Sequence, residues 1–367
     1  MNELTVLTQQ VLGIFFLISL VLGAISQRTH FCTMGAVSDV INMGDWTRAR
    51  QWMLAVGVAM VGFAALSHSG QIDASKTLYA GSRFLWLSAI VGGLLFGYGM
   101  VMASGCGNKT LVRIGGGNLK SLVVFVVMGI SAFATLKGIT AVVRVNTVDA
   151  MALDMSSGAH LGALFASALG TTPAAATWGL GYALGALLIL AVLRHTDFWT
   201  LENVLAGAGV GAIIVTLWWV SGHMGFVAEH PETLEPVYLA TASGRMEALT
   251  FVAPVAHSLD WLMFFSDKSK VLTVGVVSVA GVICGSALSA LMSKSFRWEG
   301  FAGTDDLANH LIGSVLMGVG GVTAMGCTFG QGLSGVSTLS LNAFVAIAAI
   351  ILGSVIALRR QAALLDI

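Results

Sequence analysis

The sequence predicts an all-α polytopic membrane protein, because its composition is too apolar to form an ordinary water-exposed surface. Hydrophobic residues make up 56% of the 367 residues, charged residues only 10%, and the mean hydropathy is +0.87. Soluble domains carry about 25% charged residues. The 18 basic and 18 acidic residues leave no net charge, which argues against a nucleic-acid partner, since that partner would require a basic surface. We predict a single integral membrane domain over residues 1–367.

Nine stretches stay apolar for roughly the 20 residues that a helix needs to cross the hydrocarbon core of a bilayer. They lie near residues 8–27, 50–67, 84–103, 120–138, 177–194, 203–221, 271–292, 306–325 and 340–358. The first stretch follows no positively charged region and precedes no small-residue cleavage site. We therefore interpret it as a retained span and not as a signal peptide. The sequence predicts about nine transmembrane helices.

Three segments between these spans are too apolar and too rich in glycine to be ordinary loops. They are Phe31–Met43, Gly105–Gly117 and Gly326–Ser337. Each has the length of a half-helix that enters the membrane and returns, which is allowed where protein and not lipid surrounds it. We predict re-entrant half-helices at all three places. Residues 140–177 mix polar and apolar residues, and we expect an interfacial helix there.

An internal repeat links the third and the eighth predicted span. Residues 92–106 and 313–327 are identical at eight of fifteen positions when the sequence is shifted by 221 residues. Abundant Gly and Ala inflate such matches, but composition does not explain the shared cysteine or the G-x-G spacing. Because nine spans place the two copies in opposite orientations, we predict an inverted repeat, with halves of about 8–138 and 271–358. Inverted repeats of this kind bring broken helices together at a midplane substrate site.

The distribution of Lys and Arg predicts the orientation, because cytoplasmic loops retain positive charge. With the N-terminus outside, the inner loops collect eleven basic residues and the outer loops seven. Three of the outer seven lie in the long segment 222–270, and long loops count little in this rule. We predict an external N-terminus, a cytoplasmic C-terminus and an extracytoplasmic cap formed by residues 222–270.

Glycines in the second and third re-entrant candidates suit an anion. Gly105, Gly107 and Gly326 permit tight turns, and the N-terminus of a half-helix directs free N–H groups and about half a positive charge at whatever lies before it. Lys109 and Arg113 are four residues apart and share one helical face. Two alternatives remain open: both cations can be cytoplasmic anchors, and the glycines can serve helix packing alone.

The four cysteines, Cys32, Cys106, Cys284 and Cys327, form no C-x-x-C motif, which excludes a disulfide framework and a zinc knuckle. Cys284 lies in an apolar span and is interpreted as a packing residue. The other three begin or lie within the re-entrant candidates, where protonated thiols would be neutral S–H donors that do not repel an anion. His30 lies near Cys32, but no second ligand pair has a suitable spacing for a metal. We predict no metal and no cofactor.

Three stretches in this order resemble the YeeE/YedE family of bacterial inner-membrane sulfur transporters: RTHFCTMGAVSDVINMGDW, ASGCGNKTLVRIGGGN and MGCTFGQGLSGVSTLSL. The likeness extends over nearly the whole chain. It implies an hourglass-shaped bundle with re-entrant helices and a pathway lined by three cysteines, which correspond here to Cys32, Cys106 and Cys327. It also implies uptake of thiosulfate or related sulfur compounds.

We therefore predict a transporter that passes thiosulfate or a related sulfur-containing anion across the bacterial inner membrane into the cytoplasm. A soluble cytoplasmic sulfur-carrier protein is a further candidate partner. The residues expected to bind substrate or line the pathway are Cys32, Cys106, Cys327, Gly105, Gly107, Lys109, Arg113, Gly326, Thr328 and Gln331.

The main alternative is an enzyme, namely a membrane thiol oxidoreductase or sulfurtransferase that forms a persulfide on one cysteine. Such a nucleophile needs a nearby base or a depressed pKa, and His30 beside Cys32 is the one local candidate base. A purely structural membrane subunit would leave the polar re-entrant motifs unexplained.

Overall fold

The computed structural model describes residues 3–155, 158–231 and 233–365, and these residues form an almost entirely helical bundle. The α-helices are α1 (Glu3–Thr29), α2 (Thr33–Met43), α3 (Thr47–His68), α4 (Trp86–Met102), α5 (Gly107–Gly115), α6 (Leu119–Lys137), α7 (Ile139–Asn146), α8 (Leu161–Leu169), α9 (Pro173–Leu193), α10 (Leu201–Val204), α11 (Val210–Trp219), α12 (Val252–Met263), α13 (Val274–Met292), α14 (Thr304–Thr323) and α15 (Leu341–Leu365). The 3₁₀ turns are Ala74–Lys76 and Thr196–Phe198, and the π-helical turns are Leu205–Gly209, Val220–Met224 and Gly330–Gly335. Two antiparallel ladders pair β1 (Arg83–Phe84) with β2 (Leu153–Asp154) and β3 (Phe226–Val227) with β4 (Val237–Tyr238).

Eight helical stretches within the described residues are long and apolar enough to cross a membrane. The predicted all-α polytopic membrane fold is confirmed. The predicted span at 306–325 is present as α14 but does not belong to the eight. Asp305 and Asp306 occupy its first turn, and His310 and Ser314 follow along the same helix. Because His310 and Ser314 are buried, the polar side of α14 faces protein, which explains how a less apolar helix can lie inside the bundle.

The three segments predicted to be re-entrant are short helices in the structure. They are α2, α5 and a helix over residues 328–337 that contains the π-helical turn Gly330–Gly335 and is called the π-segment below. Each follows directly on a longer helix and precedes another one. The chain is therefore broken three times at glycine-rich or cysteine-containing sequences, as the sequence predicted.

α4 and α14, which carry the two copies of the repeat, pack in antiparallel orientation through glycines. A β-carbon on Gly99 would lie 2.7 Å from the carbonyl oxygen of Gly313, and a β-carbon on Gly320 would lie 2.6 Å from that of Gly92. The repeat offset exchanges these two contacts, because Gly99 corresponds to Gly320 and Gly313 to Gly92. Reciprocal contacts of this kind characterise a twofold arrangement, which is what an inverted repeat requires.

The helices around this central pair repeat the same pattern. α15 packs on α4 as α6 packs on α14, and α13 packs on α1 as α3 packs on α11. The close helix approach depends on small residues, as is usual for membrane helices that associate without a hydrophobic driving force. A β-carbon on Gly353 of α15, for example, would meet the backbone of Leu94 on α4.

The segment 222–270, predicted as a single cap, contains a short buried helix that the sequence analysis did not predict. Helix α12 buries Val252, Pro254 and Val255 and packs against α6, α13 and α14. In the same way, α2 packs against α15, α3 and α4. The twelve residues of α12 are too few for a span, and Pro254 lies at its third position. A proline in the first turn of a helix is nevertheless tolerated, since the N–H it lacks would have no intrahelical partner there.

The stretch 140–177 contains most of α7, all of α8 and the start of α9. On α7, the apolar side chains of Ile139, Val142 and Val143 are exposed. An exposed apolar face suits a helix at the membrane surface. The interfacial position of this stretch stays a prediction that this face supports.

Candidate functional site

Three of the four cysteines share one buried cluster of the bundle. Cys106 and Cys327 are fully buried and Cys32 is 4% exposed. The thiols of Cys32 and Cys106 face each other, and the Thr328 hydroxyl faces the Cys106 thiol from the other side. Beyond it, the Sγ of Cys327 lies 3.9 Å from the Oγ1 of Thr250. The structure thus brings the three cysteines expected in the pathway together with two threonine hydroxyls.

The backbone places each of these cysteines in the same local geometry. His30, Ser104 and Met325, two residues before Cys32, Cys106 and Cys327, have φ values of 54°, 57° and 59°. This left-handed conformation is costly for residues other than glycine, by roughly 1–3 kcal/mol each. It ends the preceding helix, so that a new helix starts just after each cysteine. Strained non-glycine residues of this kind concentrate at functional sites.

Four buried aromatic rings share the core cluster of the three cysteines and are called the aromatic collar below: Phe31, Trp52, Phe251 and Phe329. Phe31 stacks on Trp52 with ring centroids 4.8 Å apart. Phe329 makes edge contacts with the other three rings, with centroid distances of 5.3–5.9 Å. All four rings are buried, and in a low-dielectric environment even weak hydrogen-bond donors interact more strongly with a charged ligand.

A basic cavity adjoins Cys32. It has a volume of about 330 Å³, and its lining includes Lys109, Arg113, Arg48 and His30. A larger cavity of about 1270 Å³ shares His30, Lys109 and Arg113 with it. Arg48 pairs with Asp39 at 3.3 Å, whereas Lys109 and Arg113 form no ion pair within the described part of the chain. The predicted cations therefore lie next to the thiol cluster, half-buried, with their charge available.

A second cavity, called the Tyr79 cavity, lies near the other end of α4. Its volume is about 420 Å³, and its lining includes Tyr79, Leu85, Arg245 and Gln331. Leu85 directly precedes α4, and Ser104, just after this helix, lines the basic cavity. The 17 residues of α4 span about 25 Å at 1.5 Å per residue. The two cavities therefore lie at opposite ends of a membrane-spanning helix, with the thiol cluster between them.

Two polar side chains that line the Tyr79 cavity donate hydrogen bonds to backbone carbonyls. The Tyr79 hydroxyl donates a hydrogen bond of 2.7 Å to the Gly330 carbonyl. Burial raises the pKa of Tyr79 well above its ordinary value, so this group stays protonated and keeps its donor. Gln331 is fully buried and its Nε2 donates to the Ala324 carbonyl, which braces the break between α14 and the π-segment.

The loop that carries Arg245 is fixed by the half-buried carboxylate of Glu247. The Glu247 carboxylate accepts a hydrogen bond of 2.8 Å from the Ser243 backbone N–H. Desolvation raises the pKa of Glu247, and this effect outweighs the hydrogen bonds from Ser243 and Ala242, which lower it. Arg245 donates to the Ala80 carbonyl at 3.4 Å and has no acidic partner among the residues described. One unpaired cation therefore lies on this side of the bundle as well.

The remaining predicted residues hold these groups in place. Gly105 leaves room for the Lys109 side chain, which a β-carbon would approach to 3.1 Å, and a β-carbon on Gly107 would lie 3.4 Å from Phe251. Gly326 forms the break before Cys327. Cys284, predicted to be a packing residue, is exposed on α13.

Sequence reasoning missed the aromatic collar, Tyr79 and Thr250. The repeat offset of 221 residues contained a signal for the helix that follows Thr250, because it carries α2 onto residues 254–264, which overlap α12. Tyr79 and the collar come from loops and helices far apart in sequence, and no local pattern indicates their proximity.

Two antiparallel halves with broken helices that meet at a buried polar cluster, and a cavity at each end, define a transporter-type membrane protein. The chain belongs to the sulphur transport family, which matches residues 28–356, and the predicted likeness to YeeE/YedE proteins is confirmed. The thiosulfate transporter TsuA of Escherichia coli (strain K12) is 27% identical over 341 residues, 90% of this chain and 89% of the relative. TsuA of Spirochaeta thermophila (strain ATCC 700085 / DSM 6578 / Z-1203) is 25% identical over 354 residues, 92% of this chain and 95% of the relative. The probable transporter YedE of Escherichia coli (strain K12) is 29% identical over 110 residues, 30% of this chain and 26% of the relative.

Proposed function

We propose that this protein takes up thiosulfate or a closely related sulfur oxyanion through a pathway lined by Cys32, Cys106 and Cys327. The observation that carries the proposal is the buried line of thiols between the Tyr79 cavity and the basic cavity. Two relatives that match about 90% of the chain are named thiosulfate transporters, which supports this substrate class.

Passage requires groups that replace the hydration of the anion without holding it. Neutral thiols donate weak hydrogen bonds, and the first turns of α2 and α5 add backbone N–H groups beside Cys32 and Cys106. Several weak contacts in series suit conduction, since each must bind the ion and also release it. Lys109 and Arg113 then draw the anion into the basic cavity as it leaves Cys32.

The orientation follows from the charge distribution. The basic cavity faces the cytoplasm of a bacterium, the Tyr79 cavity faces outward, the N-terminus lies outside and the C-terminus inside, in accordance with the positive-inside rule. A soluble sulfur-carrier protein that receives the anion docks at the basic face. The two repeat halves, 8–138 and 271–358, form one transport domain, and the packing of α11 and α12 supports extending the second half back to about residue 201.

Uptake by the purified protein tests this proposal. Liposomes containing the protein should accumulate ³⁵S-thiosulfate added outside, and empty liposomes should not. Unlabelled thiosulfate should compete well and sulfate poorly, because sulfate lacks the polarizable terminal sulfur. An imposed proton gradient shows whether uptake is coupled. Absence of uptake under all gradients, with correctly folded protein, would contradict the proposal.

The facing thiols of Cys32 and Cys106 also suit the alternative function of a sulfurtransferase. A thiolate would attack the outer sulfur of thiosulfate, the S–S bond would break, a cysteine persulfide would form and sulfite would leave. Labelling the two sulfur atoms separately distinguishes the functions. Transport delivers both labels in equal amounts and releases no sulfite, whereas sulfur transfer retains the outer label on the protein and frees sulfite.

A further inference from the structure

Thr250 is a polar residue beside Cys327 that the line of three thiols does not include. Its Oγ1 lies 3.9 Å from the Cys327 Sγ. A β-carbon on Gly330 would lie 2.6 Å from the Thr250 Oγ1 and 3.4 Å from the Tyr79 hydroxyl oxygen. The missing side chain at Gly330 thus leaves the space that the Thr250 hydroxyl occupies, close to the hydroxyl of Tyr79, a residue that lines the Tyr79 cavity.

The position of Thr250 in one half of the bundle resembles that of Phe31–Cys32 in the other. α2 and α12 have 11 and 12 residues and pack against corresponding helices. Counted from the start of the helix, Cys32 lies one residue before α2 and Thr250 lies two residues before α12, so the two positions differ by one residue. One half therefore presents a thiol to Cys106, and the other half presents a hydroxyl to Cys327.

The Thr250 hydroxyl differs from most other threonine hydroxyls of the bundle because its proton is not committed to a carbonyl. Thr29, Thr110 and Thr135 donate to the carbonyl one turn earlier, at 2.8–3.1 Å. Within the described residues, the polar contact of the Thr250 side chain is the weak one with the Cys327 sulfur. Thr250 is also only half-buried, and its hydroxyl lies near that of Tyr79, which lines the Tyr79 cavity.

We propose that Thr250 binds the anion at the outer end of the pathway, by donating its O–H to an oxygen of the anion as the anion reaches Cys327. This inference rests on the proposed function. A hydroxyl is a stronger hydrogen-bond donor than a thiol, and the first step into the pathway is where the anion loses most of its hydration. The donors then follow in the order Thr250, Cys327, Thr328, Cys106, Cys32.

Thr250→Val tests the proposal, because it removes the hydroxyl and keeps the branched shape. We expect KM for thiosulfate uptake to rise about tenfold, since a hydrogen bond to a charged group is worth at least that factor, with maximal rate and thermal stability close to wild type. Thr250→Ser keeps the donor and should restore most of the affinity. The matched control is Thr135→Val, which also removes a threonine hydroxyl. Thr135 lies on α6 and donates to the Ser131 carbonyl, so this substitution should leave KM unchanged.

The outcomes separate the two proposals. An unchanged KM in Thr250→Val, or an equal loss in Thr250→Val and Thr250→Ser, would overturn the role of Thr250 and leave the proposed function intact. Reduced maximal rate and stability with normal KM would assign Thr250 a structural role and also overturn it. Should Thr250→Val fail to fold, Thr250→Ala is measured with the same expectation for KM. Absence of thiosulfate uptake by the wild type would overturn the proposed function, and this inference with it.

Discussion

At the scale of single residues, the three buried thiols are distinguished by their neighbours. Cys106 lies between Cys32 and Thr328, Cys327 lies beside Thr250, and Cys32 opens onto the basic cavity. A fully buried thiol can be pure packing, as cysteine is among the most buried residue types. Packing alone, however, does not require that these thiols contact other polar side chains next to the aromatic collar.

Replacing Cys106 or Cys327 with Ala should reduce thiosulfate uptake to the background of empty liposomes. Each substitution removes a donor from the middle of the line, so the anion must cross a dry segment without a partner. The measurement is the initial rate of ³⁵S-thiosulfate uptake, normalised to folded protein. The control is Cys284→Ala, which replaces an exposed cysteine and should retain wild-type uptake. Normal uptake in Cys106→Ala would reduce that thiol to a packing residue.

Cys32→Ser should retain more uptake than Cys32→Ala. A serine hydroxyl keeps a donor of similar reach, whereas alanine leaves only the backbone N–H groups of α2. The two variants are compared in the same liposomes at several thiosulfate concentrations. Equal and complete loss in both would instead favour a persulfide on Cys32, because a serine cannot form one.

At the scale of elements, much of the site could be predicted because broken helices leave a clear sequence pattern. Glycine and cysteine in short apolar segments indicated α2, α5 and the π-segment, and the 221-residue offset indicated the pairing of α4 with α14. The backbone conformation at these breaks could not be predicted. His30, Ser104 and Met325 adopt a left-handed conformation that their residue types disfavour, and only the surrounding packing can impose it.

The glycine contacts between α4 and α14 give a prediction about stability. Gly99→Ala places a methyl group against the Gly313 backbone, at a distance that real side chains do not adopt. Overpacking of this kind costs about 1–3 kcal/mol, and we expect lower thermal stability in detergent. Gly179→Ala is the matched control on α9, because a β-carbon there meets nothing within 4 Å. Equal stability of the two variants would mean that the close contact of α4 with α14 is not maintained.

At the scale of the whole molecule, composition and hydropathy predicted the class of fold, and the structure corrected its details. Asp305 and Asp306 in its first turn make α14 less apolar than the eight spanning stretches. Its next polar side chains, His310 and Ser314, are buried against protein. Helix α12 was missed because short buried helices have neither the length of a span nor the polarity of a loop. Burial by neighbouring helices decides such cases, and a single sequence contains little information about those neighbours.

The proposed orientation can be tested with a membrane-impermeant thiol reagent on intact cells. In a Cys284→Ala background, Ser243→Cys should react from outside and Arg297→Cys should react only after the cells are opened. Both positions are exposed, so accessibility to the reagent depends on the side of the membrane. The background protein without an introduced cysteine gives the control signal. Reaction of Arg297→Cys but not Ser243→Cys in intact cells would reverse the orientation and place Lys109 and Arg113 on the uptake side.

The central claim is that the anion travels along the buried cysteines, and a structure determined with thiosulfate bound tests it most directly. We expect density for the anion between the Tyr79 cavity and the basic cavity, in contact with the Sγ of Cys106 or Cys327, and we expect the same density to be absent in Cys106→Ala. Thiosulfate bound only at a site remote from Cys32, Cys106 and Cys327, with uptake intact, would contradict the claim.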